Sequence, residues 1–232
     1  MSKTRIIAAI AVAPGAAHAA DLFVLDFETP GAGYTTSIAE FTDGASDYFT
    51  RTNGSNIASS HQYHNATGWF FAGQDIDGEG ASLPQILTTA TFSIAGANAL
   101  QFHVDLAEDR ASDNNQDWDL TDYVAFEYSV DGGAWQNIFT VMNDGSQFNS
   151  AAFVNGVQVT DSFSTFTADL SGVVGSTLAI RVVWQLDAGD EDLAIDNLRV
   201  TGQLAVVPLP PAAWAGLGML ATMAGVRGLR RR

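Results

Sequence analysis

The chain contains no cysteine, and between Ala20 and Gln203 it contains no lysine. The first absence excludes disulfide staples, so an exported fold must be held by its core alone. The second leaves Arg51, Arg110, Arg181 and Arg199 as the cations of that stretch, against all 26 of the chain's carboxylates, which lie between Asp21 and Asp196. Four positive charges against 26 negative ones give a formal charge of −22, compared with −16 for the whole chain. Nucleic acid is excluded as a partner, because a phosphate backbone needs the opposite sign. Such a surface suits saline surroundings or divalent cations, which screen its self-repulsion. Helix-period segments of useful length are absent outside the two ends, and no internal repeat occurs.

The remaining basic residues lie at the ends. Lys3 and Arg5 precede an apolar run from Ile6 to Ala13, and Ala17-His18-Ala19 offers small residues to a signal peptidase. Residues 1–19 are therefore expected to be a signal peptide, cleaved after Ala19. At the other end no charged residue occurs from Leu204 to Val226, and the stretch 209–226 would reach about 27 Å as a helix, close to one hydrocarbon thickness. Arg227, Arg230, Arg231 and Arg232 follow it, and by the positive-inside rule they stay in the cytoplasm while everything before the span crosses. Val207, Pro208, Leu209 and Pro210, with the apolar run and the arginine end, resemble a VPLPA-CTERM sorting tail, a relative of the PEP-CTERM signals of Gram-negative bacteria. The family motif has alanine where this chain has Pro211. The resemblance implies processing of residues 204–232 by an exosortase-type transpeptidase, an inner-membrane intermediate, and a final place at the cell surface or outside the cell. An uncut single-span anchor is the alternative.

Residues 20–203 are enough for one well-buried domain, and their dominant period is two. Leu100, Phe102, Val104 and Leu106 alternate with more polar neighbours. So do Val124, Phe126, Tyr128 and Val130, and so do Leu178, Ile180, Val182, Trp184 and Leu186. Asp131-Gly132-Gly133 supplies a hairpin turn, after which Trp135, Phe139 and Val141 are expected on one strand face. Further strands are expected at 22–28, 47–52, 69–72, 87–95, 163–170 and 193–201. Nine or ten strands separated by Gly, Asn and Asp predict an all-β fold, an antiparallel β-sandwich of jelly-roll type. Trp69, Trp135 and Trp184 fall in strand patterns and are expected in the core.

Leu25-Asp26-Phe27-Glu28, the Asp131 turn and the closing Glu191-Asp192-Leu193-Ala194-Ile195-Asp196-Asn197-Leu198 resemble the terminal strands of carbohydrate-binding modules and MAM-type adhesion domains. That resemblance implies a structural calcium with Glu28 and Asp196 as ligands. Period two adds that Asp196 turns inward if Leu198 and Val200 face the core, where a carboxylate needs a cation or several donors. Satisfaction by backbone amides or an arginine is the alternative. Asp75-Ile76-Asp77-Gly78-Glu79 and the loop from Asp113 to Asp122 are also acidic. Neither meets the EF-hand pattern, since position twelve is Ile86 in one and Val124 in the other. They read as exposed acidic loops, with irregular calcium sites as the alternative.

Sugar binding calls for exposed aromatic faces flanked by amides and carboxylates. Trp118 in the loop 113–122, and Tyr63 beside His61 and His64 in the loop 53–68, have those surroundings, with a packed lid residue beside Leu120 as the alternative for Trp118. Catalytic patterns are missing: there is no G-x-S-x-G elbow, no cysteine nucleophile and no HExxH motif. With 26 acids, a carboxylate pair at glycosidase separation is expected by chance and carries no information. The expected protein is therefore a non-enzymatic, envelope-sorted surface or matrix module, stabilised by calcium and contacting extracellular polysaccharide. A purely adhesive or structural surface protein, and a polysaccharide hydrolase or lyase on a sandwich fold, are the alternatives.

Overall fold

The computed structural model describes residues 19–44, 46–58, 62–109, 118–146 and 150–204. The expected signal peptide and sorting tail, including Val207, Pro208, Leu209 and Pro210, lie outside these residues apart from Ala19 and Leu204. Among the described residues fifteen strands form and no helix. In chain order they are β1 (Ala19–Leu25), β2 (Tyr34–Thr36), β3 (Phe41–Thr42), β4 (Tyr48–Thr52), β5 (Phe70–Gln74), β6 (Gln85–Thr89) and β7 (Phe92–Ser93). There follow β8 (Ala97–Ala107), β9 (Tyr123–Val130), β10 (Gln136–Met142), β11 (Phe153–Val154), β12 (Val157–Gln158), β13 (Ser164–Asp169), β14 (Thr177–Gln185) and β15 (Asp192–Leu204).

The strands make two antiparallel sheets. One runs β13-β8-β15-β5-β4-β3, with β1 also on β15. The other runs β12-β11-β10-β9-β14-β6-β2, with β7 also on β14. Strand β15 is the longest. It pairs with β8 along one edge, while on the other its first half pairs with β5 and its second half with β1.

The alternation read in the sequence builds the core between the sheets. Leu100, Phe102, Val104 and Leu106 of β8 face Val124 and Phe126 of β9 and Leu178, Ile180, Val182 and Trp184 of β14 in one buried cluster. Phe102 and Phe126 meet across the sheets at 5.8 Å between ring centroids, and Phe49 meets Trp184 edge-on at the same separation. Removing these faces from water is the main driving term. A second, smaller cluster of Tyr48, Ile57, Phe70, Ala72, Ala107 and Ala194 occupies the outer face of the first sheet, with Tyr63 and Phe163 against it. Both faces of β5 and of the first half of β15 are thus covered.

The hairpin forms as expected: Asp131 and Gly132 take φ of 51° and 72°, and Asp131 Oδ1 accepts from the Thr177 amide at 2.8 Å. Other expectations need correction. The stretch 87–95 is broken into the end of β6 and β7, and the first strand stops at Leu25, before Phe27 turns to a φ of 56°. Trp184 is buried, but Trp69 and Trp135 are only half-buried and lie outside the strands. The Arg51 guanidinium lies 3.7 Å from the Trp69 centroid and that of Arg181 4.6 Å from Trp135. These two rings bind cations instead of filling the core.

Gly73 in β5 lies beneath the Trp184 ring: a Cβ there would fall 3.1 Å from Trp184 Cε3 and 3.2 Å from Ile76 Cδ1. Gly73→Val should therefore lower stability by about 1–3 kcal/mol, read as an earlier urea midpoint with an unchanged slope.

Candidate functional site

Carboxylates are gathered at the end of the domain where the β3–β4 turn and the β5–β6, β8–β9 and β14–β15 connections meet. The Ile76 amide donates to the Leu186 carbonyl at 3.0 Å, tying two of these connections together. Among the described residues two groups of three acids bring an oxygen from each within 4.8 Å of the others: Asp43, Asp47 and Glu79, and Asp119, Asp122 and Glu191.

The first group is mostly exposed and matches the acidic-loop reading of the sequence. Asp75 beside it is pushed up to about 6, by burial first and then by the Asp47 charge.

The second group is different, because Asp122 and Glu191 are each only 2% exposed. Glu191 Oε2 accepts from the Asp187 and Ala188 amides at 3.1 and 3.0 Å, closing the β14–β15 connection. Asp122 accepts the Asp119 amide, yet Asp119 Oδ1 and Asp122 Oδ1 are buried without a hydrogen-bond partner. Burial is the largest cause that pushes Glu191 up to about 9 and Asp122 up to about 6. Asp187 is raised as well, by burial and then by the Asp77 and Asp119 charges.

A separate buried set starts where β8 ends. Tyr63 Oη donates to Asp192 Oδ1 at 2.9 Å and shares a 2.7 Å hydrogen bond with Tyr48 Oη. The Asp109 amide also donates to Asp192 Oδ1, at 2.6 Å. Burial raises both tyrosines well above their usual range. Glu108 is fully buried, and its Oε2 takes only a long 3.4 Å bond from the Ala152 amide. Burial, then the Asp192 charge, pushes its carboxyl up to about 9. The Trp118 indole is close enough to oppose this shift, although Glu108 Oε1 and Trp118 Nε1 form no well-aligned hydrogen bond.

Trp118 is accordingly not a sugar platform. It is 0% exposed, bridged to Ser150 and packed into the main core, because its indole is the largest apolar surface available to close that end. Leu120, two residues on, is the exposed one. Tyr63 is half-buried, edge-on to Phe70 at 5.4 Å, and lines a cleft of about 470 Å³ with Asn53, Gln62 and His64. His61 lies outside the described residues. A larger groove of about 720 Å³, which the sequence did not reveal, runs along β10 and β11 between Asn137, Thr140, Asn143, Asp144, Phe153 and Asn155.

Glu28 and Asp196 belong to neither converging group. Glu28 is exposed and accepts the Trp69 amide at 3.0 Å. Asp196 is buried as expected, but for another reason. The register with β8 shifts after it, Asn197 takes a φ of 48°, and Asp196 falls opposite Asp105, on the face away from Val104 and Leu106. Asn197 Nδ2 bridges the two carboxylates at 2.9 and 3.2 Å, and the Asn197 amide donates to Asp196 Oδ1 at 2.7 Å. Burial pushes Asp196 up to about 7, with the Asp105 and Glu28 charges adding to it. Glu28, Asp26 and Asp105 all stand close enough to Asp196 for their charges to raise it.

No protein-family model and no curated protein matches this chain. Among solved structures it is similar to the K3 cleaved adhesin domain of Lys-gingipain from Porphyromonas gingivalis W83, with 17% identity, a TM-score of 0.46, and coverage of 79% of this chain and 99% of that one. It is also similar to a Stig cyclase from Fischerella sp. TAU, with 15% identity, a TM-score of 0.46, and coverage of 82% and 100%. A third likeness is to the CBM22-1–GH10 modules of Clostridium thermocellum xylanase 10B complexed with xylohexaose, with 12% identity, a TM-score of 0.42, and coverage of 83% of this chain but 30% of that one. An adhesin, a cyclase and a xylanase module at this level of likeness assign no activity to this chain.

Glu108 gives a pH dependence of known sign. Its folded pKa of about 9 lies above the ordinary 4.5, so between those values the folded state holds a proton that the unfolded state has lost. Its contribution is complete below pH 4.5 and fades as the pH rises toward 9. In the presence of a chelator, thermal melts should show the protein more stable at pH 5 than at pH 8. Glu108→Gln should flatten the slope by up to about 1.4 kcal/mol per pH unit and stabilise the protein at pH 8.

Proposed function

We propose that this chain is a non-catalytic, exported surface module that binds polysaccharide in the groove along β10 and β11. The observation that carries the reading is the chemistry of the groove. Asn137, Thr140, Asp144 and Asn155 offer amide, hydroxyl and carboxylate groups to sugar hydroxyls, and half-buried Phe153 and exposed Met142 offer apolar surface to their CH faces. An open groove along a sheet suits an extended chain better than a small metabolite, which takes a more enclosed site. The Tyr63 cleft is the competing position for a sugar residue. The exported location rests on the sequence of the two ends, and with it the exosortase-type partner.

One observation favours an adhesive reading: the acidic end is suited to bridging through divalent ions. The two readings separate on a glycan array probed with the full chain. Phe153→Ala and Asn155→Ala should weaken binding about tenfold or more, equivalent to about 1.4 kcal/mol each, while Gln62→Ala in the Tyr63 cleft should leave it intact. If Gln62→Ala is the damaging change, the site is the Tyr63 cleft. If no glycan binds, the adhesive reading stands in its place, and reducing-end release from bacterial polysaccharide would establish the hydrolase alternative.

A further inference from the structure

We propose that Asp119, Asp122 and Glu191 form a calcium site that locks the β8–β9 connection to the start of β15. Three observations carry this beyond a crowd of acids. Glu191 comes from a chain segment far from Asp119 and Asp122 in sequence, yet an oxygen of each lies within 4.8 Å of the others. Asp122 is only 2% exposed, and no donor reaches its Oδ1 or the buried Asp119 Oδ1 beside it, the Glu191 carboxyl being a hydrogen-bond partner only when it carries a proton. Buried unpaired carboxylate oxygens are costly, and a metal ion is one of the few groups that remove the cost.

Of the domain's four arginines, Arg110 lies outside the described residues and the other three stand away from this cluster. Arg51 Nη2 donates to the Glu28 carbonyl at 2.8 Å, Arg181 pairs with Glu127 at 2.5 Å, and Arg199 lies farther along β15, opposite His103 of β8. No lysine occurs between Ala20 and Gln203 to take their place. The competing neutraliser is a proton shared between Asp122 and Glu191, whose side chains meet at this site. An all-oxygen, all-carboxylate donor set selects a hard cation, and irregular placement on two connections suits calcium, which tolerates six to eight ligands in flexible geometry. Magnesium demands near-ideal octahedral geometry. Asp187 and Asp77 stand close enough to add to the field.

The site goes beyond the glycan-binding reading and does not rest on it, since the calcium response is measured without glycan. The test uses the full chain stripped with EDTA and titrated with CaCl2 by calorimetry and thermal melting. The wild type should bind calcium and melt higher as it does so. Asp122→Asn and Glu191→Gln should melt at or above the calcium-free wild type, because a buried repulsion is removed, and should lose the calcium-induced rise, with affinity down about tenfold or more. Asp119→Asn, at a half-buried position, guards against loss of the fold and should show the same loss of response. Asp43→Asn and Glu79→Gln should respond like the wild type. A wild type that does not respond at about 10 mM CaCl2 overturns the proposal, given the affinities typical of extracellular sites. A response abolished by Asp43→Asn or Asp196→Asn but kept in Asp122→Asn overturns the residue assignment, and an equal rise with MgCl2 overturns calcium.

Discussion

Scarcity of positive charge governs this structure. A fold with ample lysine can bury a carboxylate against a side chain of opposite sign, and here that device is nearly missing. Among the described residues, acids taken out of water are met by weaker donors: backbone amides at Glu191, the Tyr63 hydroxyl and Asp109 amide at Asp192, an asparagine amide at the Asp105 and Asp196 pair. Where these donors run short, as at Glu108 and Asp122, the carboxyl is held in its protonated form or has oxygens left unpaired. Hydrophobic burial in the two clusters must outweigh these costs, because no disulfide shares the load.

The two clusters also explain where the acids ended up. The main core is made by strand faces whose alternation is regular. The polar sites sit where that regularity fails: at strand ends, at the register shift after Asp196, and in the connections around Trp118. Outer-face packing by Tyr48, Phe70 and Ala194 draws Tyr63 down onto the sheet, and with it the hydroxyl that reaches Asp192.

Much of the fold was legible in the sequence and rather less of the site. Strands such as β8, β9 and β14 announce themselves because one face is buried and the other is not, so period two survives in the residue types. Strands of two residues, such as β3, β11 and β12, carry no period and are set by their neighbours. Tertiary context placed Trp69 and Trp135, since an arginine over a ring leaves no mark on alternation. Asp196 was expected inward by counting in twos from Leu198, and a single positive-φ residue reversed that count. Trp118 shows the opposite failure: polar neighbours suggested an exposed ring, but apolar area outweighed them. The convergence of Asp122 with Glu191 depends on two connections meeting in space, which no local pattern encodes. The groove beside Phe153 was hidden for the same reason.

Strand β15 is joined to β8 along one edge and, in succession, to β5 and β1 along the other. Mechanically this is a lap joint. Tension applied at Leu204 runs along the strand, at right angles to the hydrogen bonds of both edges, so they are loaded together in shear and not opened one at a time. Ala19 lies opposite Gln203 at the same end of the joint, so a pull that separates Ala19 from Leu204 instead opens the β1 bonds in turn from that end. Force carried along the last strand would meet its greatest resistance in the joint.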